Sequence, residues 1–270
     1  MSTNPLIDIG VNLTNARFRN DLGDVIADAR QAGVEHMVVT GTDLSQSQDA
    51  LDLTLQYPGY LSCTSGVHPH DSNEWNVEVE AGITALAEHS NVVAVGECGL
   101  DYFRNFAPHD VQINCFRDQL AMAVKLKKPV FLHQRDAHEA FIEIVSEVRN
   151  DLSGAVVHCF TGNTTEALDY LDLDCYLGIT GWLCDERRGD ELRQAVKSIP
   201  LDRLMIETDA PYLLPRTIRP KPASNRNVPG NLPHILEALS RILGQNPHRL
   251  AEILVENTRR FFNLPTGPHI

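Results

Sequence analysis

The sequence lacks most of what would tie it to a membrane, a common cofactor fingerprint or an oxidising compartment. Its six cysteines (63, 98, 115, 159, 175 and 184) include no C-x-x-C pair, and most sit in apolar runs such as LSCTSGV and VVHCF. They read as reduced, buried thiols rather than a disulfide framework. No apolar run approaches the roughly 20 residues of a membrane span. The opening MSTNPLIDIG has neither the basic stretch nor the apolar core of a signal peptide, so a cytoplasmic location with no membrane partner is expected. No G-x-G-x-x-G follows the first apolar run and no P-loop is present, which excludes the common dinucleotide and nucleotide grips. Basic residues are scarce: 23 Lys and Arg face 36 Asp and Glu, a net charge of −13. A protein that coats nucleic acid by bulk charge is excluded, while an enzyme with one local basic patch is not.

What is present is an ordinary globular composition, 43% apolar and 22% charged over 270 residues, with no low-complexity stretch. At about 150 residues per domain the length allows one large domain or two small ones. Short apolar, β-branched runs recur at 6–11, 34–40, 60–67, 92–96, 129–133, 154–159, 175–180 and 203–207. Runs without polar alternation suggest strands covered on both faces, as in a parallel sheet. Helical patterns lie between them, at 21–32, 110–127 and 136–149, and two more follow the last run near 232–243 and 247–262. Eight strands alternating with helices predict an α/β fold, a (β/α)8 TIM barrel filling residues 1–270 as a single domain, rather than an open doubly wound sheet.

Chemistry-bearing residues fall where those runs end. His68 follows YLSCTSGV, Glu97 follows NVVAVG, His133 follows PVFL, His158 follows GAVV and Asp209 follows RLMIET. In a barrel such ends meet on one face, where active sites form. Each residue alone reads as packing or loop; together they are several imidazoles and carboxylates that need a counter-charge, which a divalent cation supplies. The mixed nitrogen and oxygen donors suit zinc, manganese, iron or magnesium. A metal there would lower the pKa of its bound water, and Asp209 could accept the proton. Cys98 and Cys159 follow ligands directly and, by strand alternation, should point away.

The segment 211–231, PYLLPRTIRPKPASNRNVPGN, carries Arg216, Arg219, Lys221 and Arg226, and no acid occurs from 210 to 235. Prolines 215, 220, 222 and 229 stiffen it. It follows the eighth strand, where barrels commonly bind phosphate, and reads as a clamp for an anionic substrate. TGWLCDERRG, at 180–189, places Trp182 where it could stack on a base or cap the barrel, with Arg187 and Arg188 beside Asp185 and Glu186.

GVHPHD (66–71), VGECGLDY (95–102), HQRDA (133–137), HCFTG (158–162) and ETDAPYLLP (207–215) resemble the TatD family of metal-dependent deoxyribonucleases, a branch of the amidohydrolase-like barrels. The likeness runs from about residue 6 to 264. It implies phosphodiester hydrolysis, with single-stranded DNA or RNA trimmed from the 3′ end by a monomeric enzyme serving DNA repair or nucleic-acid degradation. It implies Glu97, His133, His158 and Asp209 as metal ligands, with Glu97, Asp209 and His68 in catalysis. It also implies His68 as a substrate contact, beside which Asn12, Arg216, Arg219, Lys221 and Trp182 are expected to bind substrate from their positions in the sequence. Many members carry His-x-His at the end of strand one, where this chain reads Gly10, Val11, Asn12. One firm metal is therefore expected on Glu97, His133 and His158, and a second, weaker one near Asp209 and Asn12 only with substrate. Magnesium suits the weaker site, with zinc and manganese as alternatives. A metal-dependent hydrolase of another bond (an amidohydrolase, a lactonase or an aminoacyl-tRNA deacylase) would use the same face, since fold does not dictate substrate.

Overall fold

A computed structural model describes residues 5–265. The elements alternate as the apolar runs predict: β1 Leu6–Val11, α1 Leu22–Gln31, β2 Val34–Val39, α2 Leu44–Gln56, β3 Leu61–Ser65, α3 Val77–Ala87, β4 Val92–Asp101, α4 His109–Leu126, β5 Val130–Arg135, α5 His138–Val148, β6 Ala155–Val157, α6 Thr164–Asp172, β7 Tyr176–Ile179, α7 Asp190–Ala195, β8 Leu204–Ile206, α8 Leu232–Leu243 and α9 Pro247–Phe262. The strands form one sheet in sequential order, β1 to β8, and the fold is a (β/α)8 barrel. Among the described residues no helix is long and apolar enough to cross a membrane.

Contacts group the chain into two compact units. Of the described residues, the central unit comprises Val39–His158 and Asp172–Cys175, and the terminal unit comprises 5–38, Cys159–Leu171 and 176–265. In the terminal unit β1 lies against the chain leaving β8: Asn12 N–H donates to Ala210 O at 2.8 Å and Asp209 N–H to Gly10 O at 2.9 Å. Helix α8 carries the clearest apolar face, burying Leu232, Ile235, Leu236 and Leu239, and Gly244 ends it in the left-handed conformation. Asn257 of α9 donates to Leu201 O and Leu204 O, both at 2.8 Å, fastening the start of β8.

In the central unit β3, β4, β5 and β6 pair in parallel. Strand β4 is longer than its apolar run and extends through Glu97 to Asp101. The register against β5 shifts between Gly96 and Cys98. Gly96 and Gly99 both have positive φ, +141° and +147°, and a Cβ on Gly99 would lie 1.9 Å from His133 O. Only glycine allows so close an approach of the two backbones.

Two buried amides of α4 pin the segments that carry the polar residues. Gln119 Oε1 accepts from Val67 N at 2.8 Å, and its Nε2 donates to Val67 O at 3.0 Å. Gln112 does the same for Asp101, accepting from its N–H at 2.8 Å and donating to its carbonyl at 3.2 Å. Both are almost fully buried, so each satisfies a peptide group that would otherwise be orphaned. Gln119→Leu should lower unfolding free energy by about 1–3 kcal/mol, read from the urea midpoint at constant m-value.

Candidate metal centre and nucleic-acid cleft

Strand β4 puts Glu97 in the middle of three imidazoles. Its Oε1 lies 2.7 Å from His158 Nε2, 2.9 Å from His133 Nδ1 and 3.3 Å from His68 Nε2. Each ring comes from a different place: His133 from within β5, His158 from just after β6, and His68 from the segment past β3 that Gln119 holds. Stacking of His158 on Phe131, 4.5 Å between centroids, helps fix its ring. The carboxylate is 6% exposed. Burial opposes its ionisation, but electrostatic attraction to the surrounding imidazoles, His158 first, and hydrogen bonding from His133 and His158 outweigh burial and hold the carboxyl well below its ordinary range.

The histidines are not equivalent. His70 N–H donates to His68 Nδ1 at 3.1 Å, which uses that lone pair and leaves the proton of the neutral ring on Nε2. Burial also pushes His68 down to about 4, against the pull of Glu97, so the ring stays neutral and donates. His133 goes the other way: burial disfavours its charge, but Asp101 and Glu97 raise it above its ordinary value. His133 Nε2 is buried with no hydrogen-bond partner; Asp101 Oδ2 is 3.4 Å away, attracted but poorly aligned.

A divalent cation fits this cluster. Glu97 Oε1 lies 2.9 Å from His133 Nδ1 and 2.7 Å from His158 Nε2, and His133 has an orphaned buried nitrogen. His68 lies in the same cluster, its ligand atom within 4.8 Å of those of Glu97 and His133, with its proton on Nε2 making it a neighbour of the cation rather than a ligand. Imidazole and carboxylate donors together suit zinc, manganese or iron, and with water magnesium. Cys98 is fully buried, and burial, with repulsion from Cys115 of α4 and from Glu97, pushes its thiol well up.

Sequence reasoning missed two partners in this unit. Asp101, 1% exposed, holds His70 Nε2 at 2.8 Å and accepts from the N–H groups of Phe103 and Arg104. Burial raises its carboxyl, but His133, His70 and the backbone donors outweigh that and drive it far down. The signal was available: Asp101 follows two more apolar residues than a strand ending at Gly96 allows, and His70 lies two past His68 in HPH.

The terminal unit holds a separate set of carboxylates. Asn12 Nδ2 donates to Asp209 Oδ1 at 2.9 Å. Glu207 is fully buried and accepts from Cys159 N–H. Asp8, fully buried within β1, accepts from Thr208 N–H, Thr208 Oγ1 and Gly10 N–H; burial pushes its carboxyl up to about 8, aided by repulsion from Glu207 and opposed by those hydrogen bonds. Asp8 and Glu207 were not singled out from the sequence, although an acid inside the apolar run LIDIGV is itself a signal.

In the same unit a cleft of about 600 Å³ is lined by Trp182, Arg188, Arg216, Arg219 and Lys221, among others. Arg188 lies over the Trp182 ring at 4.2 Å and pairs with Asp185, which is buried. That leaves Arg216, Arg219 and Lys221 as its positive charge, with Glu186 also in the lining. Arg226 is committed elsewhere, in a two-pronged pair with Asp21 at 2.6 and 2.8 Å.

A barrel of this kind, with imidazoles gathered on a carboxylate, defines a hydrolase class. The family follows directly: the model for TatD-related DNases matches residues 7–263, and the chain belongs to that family. It is 50% identical over 259 residues to a 3′-5′ ssDNA/RNA exonuclease TatD of Erwinia tasmaniensis, covering 96% of this chain and all of that one. A protein of the same name from Salmonella typhimurium is 49% identical, with 96% and 99% covered. Among solved structures, a TatD-family hydrolase from Entamoeba histolytica superposes with a TM-score of 0.87 at 27% identity, covering 97% and 99%. The TatD homologue YJJV from Escherichia coli gives 0.86 at 26% identity, covering 96% and 98%.

In metal-free protein, Asp101→Asn should lower the titration midpoint of His133. The variant removes a partner that favours the imidazolium, so the charged form is lost at lower pH. Imidazole nitrogen shifts followed by NMR read the change, and an unmoved His133 midpoint would contradict the coupling.

Proposed function

We propose that this protein is a metal-dependent exonuclease that hydrolyses phosphodiester bonds of single-stranded DNA, and of single-stranded RNA, from the 3′ end. The observation that carries the reading is the gathering of three imidazole nitrogens on Glu97 Oε1, in a chain half identical to proteins named for that activity. Glu97, His133 and His158 hold the cation, magnesium in our reading, with manganese or zinc able to replace it. When bound, the cation polarises a phosphate oxygen and makes its water a better nucleophile at neutral pH.

The protein's own groups do the rest. Neutral His68, with its proton on Nε2, donates to an oxygen of the scissile phosphate, steadying charge as the phosphorus–oxygen bond breaks. Asp209, oriented by the amide of Asn12, accepts the proton of the attacking water. Trp182 stacks on a base, while Arg216, Arg219 and Lys221 hold a neighbouring phosphate within their shared cleft. We place the enzyme in the cytoplasm as a monomer, trimming free ends during DNA repair or degradation.

Chelation should abolish hydrolysis and added magnesium restore it. Glu97→Gln should cut the rate at least about 100-fold while circular dichroism stays unchanged. A 3′-labelled strand should release labelled mononucleotide at once, while a 5′-labelled strand shortens stepwise. Retained activity in a folded Glu97→Gln protein, or hydrolysis of ester and lactone substrates but not DNA, would overturn the assignment.

A further inference from the structure

We infer that the loop between β4 and α4 is a second base-stacking platform, on which Phe103 and Phe106 receive unpaired bases of single-stranded DNA beside the Glu97 cluster. The inference rests on the nuclease reading above for its occupant, but its observations are independent of the Trp182 cleft.

Most phenylalanines of this chain are buried, including 18, 116, 131, 141, 160 and 262. Phe103 and Phe106 are not: they are 53% and 63% exposed and stand three residues apart in one loop. The loop is not loose chain that happens to carry apolar side chains. Asp101 Oδ1 accepts from the N–H groups of Phe103 and Arg104 at 3.0 and 2.8 Å, Asn73 donates to Phe106 O at 3.2 Å, and the Tyr102 ring stacks on His109 at 3.5 Å and 8°. The backbone is held from several sides, and both rings remain more than half exposed. Rigid, exposed aromatics that cost no ordering on binding are what a stacking surface needs.

The charge around them selects the occupant. The Arg135 guanidinium lies 4.0 Å from the Phe103 centroid and that of Arg104 at 5.6 Å. No acid occurs from 102 to 109, in a protein of net charge −13. Aromatic faces interleaved with arginine suit a chain of alternating bases and phosphates better than an apolar or acidic-faced protein partner. Duplex DNA hides its base faces by pairing and stacking, so an unpaired strand is the form that fits.

The platform also abuts the candidate metal centre. The Phe106 ring sits edge-on to His70 at 4.7 Å, and His70 in turn packs against His68 at 4.2 Å. Arg135 ends β5, two residues beyond His133. A base on Phe106 would belong to a nucleotide next to the one being cut, and a base on Phe103 to the one beyond it.

The test is affinity, measured by fluorescence anisotropy with a labelled phosphorothioate oligothymidylate, which resists hydrolysis, in magnesium. Phe103→Ala and Phe106→Ala should each weaken binding by roughly 5- to 100-fold, Phe103→Trp should restore it, and Leu55→Ala, an exposed apolar residue on α2, should leave it unchanged. On a strand with abasic sites near its 3′ end the alanine effect should vanish, because the stacking partner is gone. Equal affinity of parent and alanine variants, an equal loss on normal and abasic strands, or a shift only in oligomeric state would each overturn the platform. Failure of the nuclease reading looks different: the parent would cleave no single strand whatever the Phe variants bind.

Discussion

One buried carboxylate sets the terms for the central unit. A charge placed where Glu97 sits would be costly alone, and it is tolerated because three imidazole nitrogens reach one of its oxygens. That requirement propagates outward. The register shift of β4 between Gly96 and Cys98 falls at the glutamate, Gln119 holds the segment carrying His68, and Asp101 stands behind His133 and His70. An arrangement that balances its charge with protons in the absence of metal, and leaves His133 Nε2 without a partner, is suited to exchange protons for a cation.

The surface solves a second problem. An enzyme for a polyanion cannot be uniformly acidic where substrate lies, yet a net charge of −13 disfavours indiscriminate binding of nucleic acid. Positive charge is accordingly local. In the terminal unit it is Arg216, Arg219 and Lys221 around the Trp182 cleft; in the central unit it is Arg104 and Arg135 around Phe103. Both places pair cations with an aromatic face, the combination that our reading assigns to phosphate attraction and base stacking. The arginines that look similar in sequence but serve structure are separated from these by their partners, as Arg226 is by Asp21.

The fold was legible because periodicity and length are local signals. Each apolar run became a strand, and α1, α4, α5, α8 and α9 begin and end within a residue or two of their patterns. The exception is β4, read as ending near Gly96 but continuing to Asp101. Glycine at 96 and 99 looks like a strand terminator, whereas here it permits a close approach to β5 that no other residue allows. The same misreading hid Asp101, which looks like loop once the strand is cut short. Asp8 and Glu207 escaped for another reason: a buried acid inside an apolar run reads as a lapse in the pattern until its donors, Thr208 and Cys159, are seen.

From sequence alone came the alternation of eight strands with helices, the family motifs and the short list of imidazoles and carboxylates, because all of these are written in neighbouring residues. Only the tertiary structure decided that Glu97 rather than a histidine is the hub, that His68 keeps its proton on Nε2 and so differs from His133, and that Phe103 and Phe106 face water on a braced loop. Those outcomes depend on distances between segments tens of residues apart, and on which donors happen to be satisfied there, quantities that no local pattern encodes.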